Sequence, residues 1–97
     1  MAQPFISGPP GSAAFAYFSS AGSKLLKTGP GSLRAVSIGV PATAAQVKLF
    51  DGVDDTGTLI ATVDAGEGRD IDFSAQFNVG LYVQVTGGNP NLTITFF

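Results

Sequence analysis

The sequence predicts an all-β fold, an antiparallel β-sandwich of two sheets, on three observations. Apolar residues recur at every second position in one short run after another, which sends one set to a core and the other outward. Clusters of Gly, Pro, Asn and Asp separate these runs at intervals of about ten residues, the spacing of a sandwich or barrel. No stretch carries a helical period. The pattern suits a jelly-roll-like and an immunoglobulin-like topology equally.

The opening stretch, MAQPFISGPPGS, is rich in Pro, Gly and Ser and cannot form a regular element, because proline fixes φ and lacks an N–H donor. Residues 1–20 therefore read as an extended N-terminal arm and residues 21–97 as the β-sandwich domain. The arm carries no charge but bears Phe5, Ile6, Phe15, Tyr17 and Phe18. It reads two ways, as a loose tail or as an arm that anchors on a partner through its aromatics.

Six runs follow. Around Arg34–Val40, the set Val36, Ile38 and Val40 alternates with Ala35, Ser37 and Gly39. In Gln46–Phe50, Val47 and Leu49 alternate with Gln46, Lys48 and Phe50. In Thr58–Asp64, Leu59, Ala61 and Val63 form one set; in Asp70–Phe73, Ile71 and Phe73 do. Leu81, Val83 and Val85 alternate with Tyr82, Gln84 and Thr86, and Leu92, Ile94 and Phe96 alternate with Thr93, Thr95 and Phe97. The residues are β-branched and aromatic, as strands prefer. Ser12–Ser20 and Ser23–Lys27 supply further strands, for about seven in all. Of the final pair, Phe96 and Phe97, one enters the core and the other faces out, where a partner can cover it.

Composition limits function. A chain of 97 residues holds one domain. Only 12% of its residues are charged, against about 25% for a typical soluble domain. Mean hydropathy is +0.30. A small domain has much surface per residue, so this shortage of charge means either a surface carpeted with Ser, Thr, Gly and Asn or one partly covered in the working state, and the positive hydropathy favours the second. The basic residues cluster between Lys24 and Lys48, and from Asp51 onward all charges but Arg69 are acidic. The split reads as turn chemistry or as a dipolar subunit built for assembly. The net charge of -2 argues against nucleic-acid binding. No apolar run reaches the roughly 18–20 residues that cross a bilayer as a helix. The first basic residue, Lys24, comes too late for a secretory leader, so synthesis in the cytosol is expected.

There is no Cys and no His, so the common nucleophile–base pairs cannot be built. Asp70 and Asp72 share one face of a strand and read as a solvated edge rather than as paired catalytic carboxylates. The stretch Asp51–Gly57 resembles a calcium loop only loosely and departs from the EF-hand spacing, so a hairpin turn explains it better. No catalytic residue, metal ligand or cofactor is expected.

The stretches Val47-Lys-Leu-Phe-Asp-Gly52, Gly57-Thr-Leu-Ile-Ala61, Gly80-Leu-Tyr-Val-Gln-Val-Thr-Gly87 and Leu92-Thr-Ile-Thr-Phe96 together resemble small β-rich virion proteins of tailed bacteriophages, of the capsid decoration (cement) type. The resemblance runs from Gly29 to Phe97 and leaves out the arm. It implies a non-enzymatic structural protein on the capsid surface that binds the major capsid protein and copies of itself, with trimers suited to three-fold positions. Partner-binding residues are then expected at Phe5, Ile6, Phe15, Tyr17, Phe18 and Phe97. The alternative is a tail, fibre or head-spike module that binds host-surface glycans through Tyr82 with Asn78, Asn89 and Asn91.

Overall fold

Eight strands account for most of residues 14–97, the part of the chain that the computed structural model describes. They are β1 (Ala14–Phe18), β2 (Gly22–Thr28), β3 (Gly31–Val40), β4 (Gln46–Asp51), β5 (Thr58–Asp64), β6 (Arg69–Phe77), β7 (Gly80–Thr86) and β8 (Asn91–Phe96). The first sheet has the order β1-β8-β3-β6 and the second β2-β7-β4-β5, with every pairing antiparallel. The fold is the all-β sandwich expected.

The strand order also separates the two topologies. The chain pairs as one long hairpin, β1 with β8, β2 with β7, β3 with β6 and β4 with β5. Rolling that hairpin over adds β3 to β8 in one sheet and β4 to β7 in the other. This is the jelly roll. Every connection except the β4–β5 hairpin crosses between sheets. The corners are tight: Gly29 and Gly87 adopt φ of 89° and 86°, values that glycine reaches without steric cost.

Ala14–Phe18 is not part of a free arm. It is the edge strand of the first sheet, in register with β8 from Ala14 opposite Phe96 to Phe18 opposite Leu92. Among the described residues the sandwich thus begins at Ala14 rather than at residue 21, in the segment Ser12–Ser20 where the sequence predicts a strand. Burying Ala14 and Phe18 against β8 holds this strand in place.

The core lies between the sheets. Leu33, Val36 and Ile38 of β3, together with Leu92, Ile94 and Phe96 of β8, face Val47 and Leu49 of β4 and Leu81, Val83 and Val85 of β7. Phe77 closes one end beside Gly31. Among the described residues no polar or charged side chain is buried.

Three irregularities change the expected faces. The register of β3 shifts at Arg34, so Leu33 and Val36, three apart, both point inward. It shifts again between Ile38 and Val40, which turns Val40 out to solvent although the simple alternation puts it with Val36 and Ile38. A third shift between β4 and β5 pairs Phe50 with Leu59, leaving Leu59 exposed and Ile60 packed toward the core. One extra residue on a strand exchanges its faces from that point on.

Candidate docking surfaces

Cross-strand partners share a face of a sheet, so the ladders assign each candidate residue a surface. Phe15 lies opposite Thr95 and Tyr17 opposite Thr93. Both aromatics project from the outer face of the first sheet and are about half exposed. Phe97 extends β8 by exchanging backbone hydrogen bonds with Ser32, its N–H donating at 2.8 Å and its carbonyl accepting at 3.2 Å. Phe96 is buried and Phe97 exposed, as the alternation predicts. Phe15, Tyr17 and Phe97 are therefore brought to one sheet.

Phe18 is not among them. It is 6% exposed and belongs to the core. The Lys24 ammonium lies over its ring, 5.2 Å from the centroid, within cation–π range. Three positions separate Phe15 from Phe18, and that odd spacing alone carries Phe18 to the side opposite Phe15 and Tyr17. Phe5 and Ile6 fall outside the described residues.

The outer face of the second sheet carries a surface that sequence reasoning missed. Leu25 of β2 stands opposite Tyr82 of β7, Tyr82 opposite Phe50 of β4, and Phe50 opposite Leu59 of β5. These four residues form one apolar row across all four strands. Phe50 points away from the core, yet it is only 8% exposed. Its row neighbours cover it, with the Tyr82 ring centroid 6.3 Å away at a tilt of 54°, an edge-inclined geometry aromatic pairs favour. Leu25 and Leu59 at the ends of the row are exposed. Val53 and Val79, in the loops at the same end of the sandwich, are exposed too. The next row, Ser23, Gln84, Lys48 and Thr62, is polar. The row was hard to find in the sequence because its members come from four separate runs, and only the strand order aligns them.

The Asp51–Gly57 segment is a turn held by its own carboxylates. Asp51 accepts the N–H groups of Val79 at 2.8 Å, Asn78 at 3.0 Å and Gly80 at 3.3 Å. The bonds from Val79 and Asn78 hold its carboxyl below the usual carboxylate range, against a weaker opposing effect of desolvation. The hydroxyl and N–H of Thr56 do the same for Asp54. Among the described residues no group of three acidic side chains is gathered closely enough to hold a metal ion.

The charge split along the chain does not become a split between sheets. Lys48 and Asp64 share the second sheet, and Arg34 and Asp72 share the first. Nor do the four candidate glycan residues meet. Tyr82 is on the outer face of the second sheet, and Asn78 is in the β6–β7 turn. Asn89 accepts the Ala21 N–H at 2.9 Å in the loop at the opposite end. Asn91 lies on the first sheet opposite Val40.

No known protein family matches this chain, and no curated protein matches it.

Proposed function

We propose that this protein is a non-enzymatic structural module that docks on a larger protein assembly, and in its most specific form a decoration protein that binds the major capsid protein at the virion surface. The observation that carries this reading is the apolar row Leu25–Tyr82–Phe50–Leu59 on the outer face of the second sheet. Exposed apolar side chains at both ends of a continuous apolar row, Leu25 and Leu59, mark a candidate interaction site, and the 12% charged fraction agrees with a surface that works while covered. The resemblance of four strand-and-turn segments to phage cement proteins supports the capsid as the assembly. The jelly roll recurs in viral capsid domains, which is support by analogy only.

The docking role falls to the second sheet because its apolar side chains are direct cross-strand neighbours. Phe15, Tyr17 and Phe97 on the first sheet are interleaved with Thr93 and Thr95 and make a more polar surface. Trimerisation about a local three-fold axis is the companion proposal, read by sedimentation equilibrium.

The test has two parts. Quantitative mass spectrometry of purified particles compares this chain with the major capsid protein, and a ratio near one or a simple fraction of it is expected. Leu59→Lys and Leu25→Lys are then assayed for co-sedimentation with shells lacking the protein. Both variants should melt like the wild type and fail to bind. Absence of the chain from particles, or undiminished binding by both variants, overturns the proposal.

A further inference from the structure

The outer face of the first sheet holds a shallow depression of about 310 Å³, lined by Tyr17, Ser37, Gly39, Val40 and the run Asn91–Thr93. Its volume is at the low end of ligand clefts, roughly 300–1,000 Å³. The ladders explain how it forms. Tyr17 is opposite Thr93, Thr93 opposite Ser37, and Ser37 opposite Asp70, so one row runs from an aromatic ring through two small hydroxyl side chains to a carboxylate. Gly39 keeps the floor open. A Cβ built on it would meet only the Asn91 carbonyl oxygen, at 4.0 Å, so the space above it is empty.

We infer that this depression is a binding site for a neutral saccharide. A pyranose ring has an apolar C–H face and a rim of hydroxyl groups. Tyr17, 54% exposed on a rigid sheet, offers a flat ring for the C–H face at small entropic cost. Thr93 and Ser37 can each donate and accept, and the Asn91 amide offers both functions at fixed geometry. The Ser37 hydroxyl already donates to Asp70 Oδ1, which leaves the Ser37 oxygen lone pairs free to accept a sugar hydroxyl.

The charges select a neutral ligand. The row ends in Asp70, and Asp72 lies on the same face one row away. Arg69, next to Asp70, pairs with Glu67 at 3.0 Å, and none of the residues lining the depression is a cation. An acidic sugar seated there would face Asp70 with no cation among the lining residues to offset it. This site is on the sheet opposite the proposed docking row, so the two can operate together and can fail separately.

The experiment is a titration of the ¹⁵N-labelled full chain with oligosaccharides of glucose, of galactose and of mannose, and with a sialylated oligosaccharide, each at millimolar concentration. At least one neutral oligosaccharide should give saturable shifts confined to β1, Gly39–Val40 and Asn91–Thr93. Tyr17→Ala should weaken binding about tenfold or more, and Tyr17→Phe should retain it. Gly39→Val, which fills the depression, should abolish it, with a melting curve confirming the fold of each variant. Leu59→Lys should bind the saccharide like the wild type. No saturable shift with any neutral saccharide, shifts centred elsewhere, or tighter binding of the sialylated ligand overturns the inference.

Discussion

Replacing Phe18 by alanine removes a ring that alternation puts inside the sandwich, although it sits one position from the exposed Tyr17. Phe18 is 6% exposed, opposes the buried Leu92 and packs within the main cluster. Removing a buried phenylalanine costs about 3–5 kcal/mol in transfer and cavity terms. Because β1 is a five-residue edge strand, it can relax inward, so the lower end, about 3 kcal/mol, is expected. That figure includes the loss of the Lys24 contact, worth about 0.5–1 kcal/mol. For a domain of this size each kcal/mol moves Tm by about 4–8 °C, so Tm should fall by roughly 12–24 °C. Phe15→Ala, three residues away on the same strand but 52% exposed, should change stability by no more than about 0.5 kcal/mol. Urea titrations followed by far-UV circular dichroism give both midpoints, and an unchanged m-value makes them comparable. Equal losses at the two positions, or a Phe18→Ala cost below about 1 kcal/mol, would refute the assignment of Phe18 to the core.

Three further outcomes follow from the same structure. Gly87→Ala sets a Cβ 2.2 Å from the Ala44 carbonyl oxygen at a φ of 86°, so it should cost more than about 1 kcal/mol in chemical denaturation. Ala44→Gly, relieving a φ of 66°, should stabilise by about 0.5–1 kcal/mol in the same assay. Asp51 is held below the usual carboxylate range by Val79, Asn78 and Gly80, so its contribution is present above the unfolded carboxylate value, about pH 4, and is lost as pH falls through the lowered folded value. Asp51→Asn should therefore be less stable than the wild type at neutral pH. The two stability curves, measured by urea unfolding at successive pH values, should converge in acid.

Some of this architecture is legible along the chain because its cause is local. In β7 and β8 the pleat alternates without interruption, and the expected inward sets Leu81, Val83, Val85 and Leu92, Ile94, Phe96 are the buried ones. The turn clusters mark the corners for the same reason, since glycine and proline act through their own backbone angles. Asp70 and Asp72 face outward as their alternation with Ile71 and Phe73 requires.

Other features depend on which strands meet. The period of two says that a side chain alternates, but one bulge residue exchanges the faces, and a bulge is stabilised by the partner strand rather than by its own sequence. That is why Val40 and Leu59 stand in solvent while Ile60 packs inward. Strand order is equally non-local. Nothing in β4 specifies that β7 lies beside it, so neither the jelly roll, the apolar row on the second sheet nor the depression beside Tyr17 could be assembled from the runs taken singly. Sequence alone determined that this chain is an all-β sandwich with few charged residues. Tertiary structure decided which apolar residues are left outside, because burial is a property of the neighbours a strand acquires.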